Sequence, residues 1–380
     1  MLAVTAQWML NRLIETGGQP AAPIDITKLS LTVVAGVGGV VALVVAYRRQ
    51  RDLEQGRFVE RFGAAAAQLG ATDVAVRIAG VYAMAGVADE SRGLRRQQCI
   101  DVLCGYLRLP YTPEFGGNHQ NRSVRKRRGR GGAGENEDHF DYRQNDRAVR
   151  DTIVRVIAAH LRPTAERSWT TNDFDFRDAY FEDADFHMTT FSSAAKFEGA
   201  TFSGATEFRG ATFSSEAGFD RTTFSGSAVF DRTTFSGEAW FIGATFSGNA
   251  LFGGARFSGI TRFSRARFSS IADFDRTTFS GVTWFRDARF SGEAWFARTT
   301  FSSTAWLGGA KFSGTTRFNH ARFSGAASFE KVDFGTSPIS FGSPKQWGPP
   351  APVFDWDQDV SQKPANVEPQ DWPPAMAPAL

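Results

Sequence analysis

Cysteine is almost absent from the 380 residues: two copies cannot build a disulfide scaffold. Charge of one sign is also lacking. Lys and Arg number 43 and Asp and Glu 40, a formal net charge of +3. That excludes a grossly acidic or basic molecule while leaving room for local patches. Histidine is sparse, with five copies. His119 and His139 fall in a loop, His160 ends a helix, and His187 and His320 fall outward or at corners. Spacing sets none of them in a constellation with Cys, Ser or carboxylate that would make a catalytic centre. Tyrosine, at 6, is scarce beside 36 phenylalanines. An ordinary core mixes its aliphatics, so this excess indicates one kind of site used many times.

Long uncharged runs are missing with one exception. From Leu29 to Tyr47 nineteen residues carry no charge, among them Val33, Val34, Val37, Val40, Val41, Leu43, Val44 and Val45. At about 1.5 Å per residue a helix of this length covers roughly 28 Å, close to the hydrocarbon thickness of a bilayer. The run is expected to be a transmembrane helix; a buried core helix is the competing reading, and a cleaved signal peptide fits less well. Arg48, Arg49, Arg51, Arg57 and Arg61 crowd the downstream side, with only Lys28 close upstream. The positive-inside rule then leaves residues 1–28 outside and the rest cytoplasmic, a single-pass protein of the cell (inner) membrane. Cys99 and Cys104 become reduced thiols, about 140° apart on a helix, which indicates neither a metal nor a redox pair. Ala35 and Gly39 form a small-xxx-small pair of the kind that seats a second helix.

Residues 48–162 read as a small helical region. Arg57–Phe62 leads into Ala64–Leu69, with Gly70 as the stop. Thr72 or Asp73 caps a helix carrying Val76, Ile78, Val81, Tyr82, Met84 and Val87. A third helix, from about Leu94 to Leu109, aligns Ile100, Leu103 and Leu107. A fourth, Asn145 to Leu161, aligns Val149, Ile153, Val156 and Ile157. Between these two, residues 112–144 have the composition of a disordered loop. Arg122, Arg125, Lys126, Arg127, Arg128 and Arg130 cluster there, ahead of a glycine run and Glu135, Glu137 and Asp138. Three readings stand for this cluster: contact with anionic lipid head groups, contact with nucleic acid, or a solvated loop without a partner.

Beyond residue 173 the chain becomes periodic. Phe recurs every eleven residues from Phe191 to Phe334, and a second series of the same step runs from Phe186 to Phe329. Leu307 is the one departure in 28 positions. The series interleave with gaps of five and six. Two places before each Phe sits a small residue, as in Ala200-Thr201-Phe202, and Ser-Gly or Ser-Ser follows. Small-x-Phe is a two-residue alternation that turns the small residue and Phe to one side of a short strand. Strands this short must be stacked on copies of themselves, which defines a solenoid. Four sides of five, six, five and six residues make a coil of 22. Residues 173–334 then form about seven coils, roughly 35 Å long at the inter-strand spacing of about 4.8 Å. Stacked rings fill so narrow a bore, each Phe contributing about 1.5–3 kcal/mol, and leave no pocket of substrate size.

The Ala-x-Phe-Ser-Gly units, as in Ala200-Thr201-Phe202-Ser203-Gly204, resemble pentapeptide-repeat proteins. The eleven-residue variant is similar to a membrane-associated branch found in actinobacteria. So are Val76-Arg77-Ile78-Ala79-Gly80-Val81-Tyr82-Ala83-Met84, Cys99-Ile100-Asp101-Val102-Leu103-Cys104 and Ala158-Ala159-His160-Leu161-Arg162. The resemblance implies an all-β right-handed quadrilateral β-helix following the helical part, with no catalytic residues, cofactor or metal.

Function is therefore expected on the outer faces. One outward column of period 22 reads Trp240, Arg262, Trp284, Trp306. It is read either as an interaction surface for an unknown protein partner or as self-stacking that stiffens the coil. Trp295 falls half a coil away, with Leu251, Asp273 and Arg317. A column of Thr201, Thr223, Thr245, Arg267, Arg289 and Lys311 turns basic and is read as a solvated face. The leading expectation is a membrane-anchored, non-catalytic scaffold for protein–protein interaction. The alternative is a regulator that mimics DNA toward a type II topoisomerase, as the wider family implies. Residues 173–334 hold 18 Asp+Glu and 17 Lys+Arg, which is not the dense negative field of a duplex and argues against that alternative and against a nucleic-acid partner. Self-association through coil ends remains open. Residues 335–380, with Trp347-Gly348-Pro349-Pro350, Trp356 and Trp372-Pro373-Pro374, are expected to be extended or disordered, part of them covering the last coil.

Overall fold

The structure, a computed structural model, describes Trp8 and residues 23–113, 122–128, 135–141 and 146–378. It divides into two units, Met1–Ala64 and Ala65–Leu380. Helix α1 (Pro23–Leu69) is 47 residues long and supplies most of the first unit. No helix among the described residues is long and apolar enough to cross a membrane. The self-contained span expected at Leu29–Tyr47 is thus not found: the run is the N-terminal part of a longer helix. Its side chains at Leu29, Ser30 and Val33, and nearly all of the expected outside segment 1–28, lie beyond what is described. The helix continues past Tyr47 because Arg48–Arg57 offers good helix formers and no breaker except Gly56, with Gln50 donating to Glu54 one turn on at 3.1 Å. Every described residue from Leu31 to Arg57 is exposed.

In the second unit, Asp73 caps α2 (Val74–Glu90) by accepting from the amides of Ala75 and Val76. Helices α3 (Leu94–Arg108) and α4 (Asp146–Leu161) follow. The stripes expected on α3 (Ile100, Leu103, Leu107) and α4 (Val149, Ile153, Val156, Ile157) are buried, whereas on α2 only Val81, Met84 and Val87 are: Ile78 is half-buried, and Val76 and Tyr82 are exposed. Cys99 and Cys104 are buried among them. Burial pushes the Cys99 thiol up to about 11 and raises Cys104 as well, so neither is a nucleophile at neutral pH.

The segment expected as a disordered basic loop contains instead an antiparallel hairpin. Strand β1 (Arg122–Arg128) pairs with β2 (Glu135–Asp141), setting Arg122 opposite Asp141, Arg125 opposite Asp138, Lys126 opposite Glu137 and Arg128 opposite Glu135. Composition alone suggested disorder, but the acidic residues that follow the basic run fall in register with it, and opposite charges facing across strands are favourable. Residues 114–121, 129–134 and 142–145, and with them Arg130, lie outside the described residues.

From Phe174 onward, two-residue parallel strands stack into four sheets of eight, seven, nine and eight strands. We number these faces from the strands that open them: Phe174–Asp175, Tyr180–Phe181, Ala184–Asp185 and Thr190–Phe191. The register is 22 residues per coil, as in Ala217 on Ala239 and Phe224 on Phe246. About eight turns form, one more than the sequence suggested. The extra turn comes from the tail, where Ile339–Ser340 pairs with Thr316–Arg317, and Gln346–Trp347 with Arg322–Phe323.

Inside, each ring lies over its counterpart one coil away. Phe197, Phe219, Phe241 and Phe263 are spaced 4.8, 4.9 and 4.7 Å, within 9° of parallel. Neighbouring columns meet edge to face, as with Phe219 and Phe230 at 5.6 Å and 87°. Leu307 takes a ring's place and is fully buried. Both ends of the stack are closed. At the first coil, Arg108 reaches Asp175 (2.8 Å), Arg147 reaches Glu182 (2.9 Å) and Asp183 (3.1 Å), and Arg162 reaches Asp185 (3.2 Å). At the last, Phe354 stacks on Phe329 at 4.6 Å, and Trp356 and Trp372 pack against Phe354. The Pro/Trp-rich tail is therefore ordered through residue 378, because bare Phe and unpaired strand edges give it something to cover.

Candidate interaction surfaces

The bore offers no site, since stacked rings occupy it. A crevice elsewhere, lined in part by Tyr111, Arg147, Arg150, Asp151 and Glu182, has room for about 10 Å³, roughly one water. It belongs to the seam between the helices and the first coil. Tyr111 donates to Glu182 there, and the Arg150 guanidinium lies 4.5 Å from the Tyr111 ring centre. Behind it is a buried polar node that the sequence did not announce. Arg77, fully buried, donates to Asp146 Oδ1 at 2.6 Å and to Tyr106 Oη at 3.0 Å; Tyr106 donates to the same carboxylate oxygen at 2.6 Å. Arg150 adds hydrogen bonds to the Tyr106 and Leu107 carbonyls. Burial, reinforced by Asp146, raises the Tyr106 hydroxyl. These bonds tie α2, α3 and α4 to one another, so the node fixes helix packing.

His160, expected to stand alone at a helix end, has partners. Its ring stacks on Trp169 at 3.9 Å, and Nε2 lies 3.3 Å from Asp89, which also accepts from Trp169 Nε1 at 2.8 Å. Asp89 and Trp169 are remote in sequence, which is why spacing did not reveal the cluster.

On the first face the expected column is assembled in register: Trp240 beside Arg262, Arg262 beside Trp284, Trp284 beside Trp306. Arg262 lies 5.5 Å over the Trp240 ring, and Trp284 and Trp306 stack at 5.9 Å. Trp306 is the most open, 40% exposed. The sequence reading missed Glu238, whose carboxylate accepts from Trp240 Nε1 at 2.9 Å and holds the indole flat. The same device recurs on the third face: Glu293 accepts from Trp295 Nε1 at 2.9 Å, and Arg317 lies 5.8 Å over that ring. The signal was present as Gly-Glu-Ala-Trp-Phe at 237–241 and 292–296, each with Arg 22 residues after its Trp. Fifty-five residues is two and a half coils, so the two copies occupy opposite faces.

The basic cluster is placed differently from expectation. Lys126 pairs with Glu137 at 2.9 Å, and Arg122 contacts His139 at 3.1 Å. Five basic residues on β1 meet four acidic ones on β2, leaving the hairpin nearly neutral.

A family model described as pentapeptide repeats matches residues 176–223, 219–267 and 263–311. No curated protein and no solved structure matches the chain. With four parallel faces wound at 22 residues per coil around phenylalanine, and repeats recognised across residues 176–311, this part of the chain is a pentapeptide-repeat β-solenoid.

Proposed function

We propose that this protein is a non-catalytic scaffold: a rigid rod held at a membrane by the Leu29–Tyr47 run, offering its first face to a protein partner. One observation carries the reading. The rod's interior is filled by rings at van der Waals contact, so whatever it does is done by its outside. The column Trp240, Arg262, Trp284 and Trp306 is the part of that outside with the composition of an interface core: aromatic, pre-stacked and bearing a guanidinium. Anchoring is supported by the uncharged run itself and by the exposure of its described residues, an apolar surface that water does not favour. The arginines after Tyr47 support a cytoplasmic rod.

Two measurements test this. Protease added to intact spheroplasts leaves the rod uncut under this reading; digestion of the rod refutes the orientation. Capture from detergent extract by the native chain is compared with the Trp284→Ala, Trp306→Ala double variant. A protein held by the first and lost from the second supports the scaffold, whereas equal capture by both removes the first face from consideration. Recovery of a topoisomerase favours the DNA-mimic alternative.

A further inference from the structure

The near-zero charge of the solenoid conceals a division. Residues 173–253 carry 12 Asp+Glu and 5 Lys+Arg, a net of −7, while residues 254–334 carry 6 and 12, a net of +6. The acidic half is largely engaged within the molecule. Asp175, Glu182, Asp183 and Asp185 receive arginines from the helices. Asp220 and Asp231 accept from the amides of Ile242 and Gly253 one coil on, at 2.8 and 3.0 Å. In the basic half Arg276 and Arg298 reach Asp275 at 3.6 and 3.0 Å and Arg317 reaches Glu293 at 3.3 Å, but the second face is not supplied in this way. On the second face Arg267, Arg289 and Lys311 stand in register on adjacent strands, all exposed, with Arg265 and Arg286 exposed at the adjoining corner. Lys311 pairs with Asp333 at 3.4 Å and Asp287 shares the corner, yet among the described residues no ion pair is formed by Arg265, Arg267, Arg286 or Arg289. Like charges held one strand apart oppose stability, so an external anion relieves a strain built into the fold.

We propose that this second face binds an anionic lipid surface. In-register stacking makes the face flat, with neither a groove nor a projecting element. Its outward residues from Thr201 to Lys311 include no aromatic or aliphatic anchor. Protein partners are gripped by such anchors. Nucleic acids are read by elements entering a groove or by bases stacking on aromatic rings. A plane of head groups asks only for a flat cationic surface. The inference rests on the membrane-held reading for one point, that a bilayer is at hand. A single weak anchor becomes stable attachment when a basic patch supplies a second.

The test uses the full chain with Ser291→Cys, an exposed position beside Arg289, carrying an environment-sensitive dye; Cys99 and Cys104 are buried and escape labelling. Vesicles of phosphatidylcholine, alone or mixed with phosphatidylglycerol, are compared. The dye should respond to the mixed vesicles at least about tenfold more strongly than to neutral ones, and lose that response at high salt. It should also lose it in Arg267→Glu, Arg289→Glu, whose melting temperature should match the parent. Equal responses to both vesicles, an unchanged response in the double variant, or a response to DNA or polyglutamate but not to vesicles overturns the proposal. Flotation with neutral vesicles reports the anchor separately. A chain that does not float there loses the membrane-held reading, while its dye response to added anionic vesicles still decides the face.

Discussion

At the scale of single residues, the solenoid separates side chains that stabilise it from those it merely tolerates. At four positions where Thr replaces Ala at the inner small site, the hydroxyl finds a carbonyl of the preceding coil: Thr222 donates to Phe197, Thr233 to Phe208, Thr277 to Phe252 and Thr299 to Phe274, all at 2.8 Å. A polar atom inside the tube is acceptable because it is bonded. Asp273 on the third face is the opposite case. Burial raises its carboxyl above the usual range, a hydrogen bond from the Asp275 amide opposes this, and the charges of Asp275 and Asp231 add to the rise. A group whose folded pKa is raised adds stability below its unfolded value, near 3.9, and loses it as pH climbs through the folded one. At pH 7 the ionised carboxylate is therefore a cost. Asp273→Asn keeps the acceptor and removes the charge, so it should melt about 2 °C above the parent at pH 7, the gap closing toward pH 4. Thermal melts at both pH values check this, and a lower melting temperature at pH 7 would show that the charge helps the fold.

At the scale of the strand and its corner, two kinds of turn carry the coil. Two residues after each member of the Phe186–Phe329 series the chain passes through a residue with positive φ, such as Arg221 (57°), Gly243 (66°) and Arg265 (59°) in successive coils. A Cβ at Gly243 would meet only the Arg221 side chain, at 3.9 Å. At the Ser-Gly corner, by contrast, a Cβ on Gly226 would run into the backbone carbonyl of Gly204 in the coil below. Gly243→Ala should thus cost about 1 kcal/mol of backbone preference, and Gly226→Ala about 2–3 kcal/mol because the stack must part locally. Ser270 two coils on in that column shows that such parting is possible. Chemical denaturation of both variants orders them, and equal losses would mean that coil contact at the corner is not limiting. The Phe and small-residue spacing was legible at this scale because each strand obeys one local rule. The hairpin was not, since its pairing joins a basic run to an acidic one across a glycine stretch that composition reads as loop.

At the scale of the whole molecule, the half-coil symmetry of five and six residues makes a demanding experiment available. Deleting residues 242–252 brings Gly253 directly after Phe241 and restores the spacing Phe-x-x-Ala-x-Phe. The core should refold in step, with circular dichroism retained and melting lowered by several degrees, as expected for a shorter solenoid. Every outward column beyond the deletion moves half a turn, so Arg262, Trp284 and Trp306 leave the face of Trp240. Under the proposed function the partner held by the first face is then lost from a folded rod. An unfolded product would show that eleven residues are not an equivalent half-coil, and retained capture would show that the tryptophans act singly.

The sequence by itself determined the tube, its pitch and the inner rings from Phe186 to Phe334, because stacking repeats one short-range alternation and each copy confirms the next. It determined the helical stripes of α3 and α4 for the same reason, but not that of α2, where Val76 and Tyr82 are exposed. Tertiary structure alone decided what covers the coil ends, which carboxylates are taken up by Arg108, Arg147 and Arg162, and that the buried node of Arg77, Tyr106 and Asp146 exists at all. Those outcomes depend on partners tens of residues apart, and a net charge summed along the chain cannot tell a neutralised carboxylate from a free one.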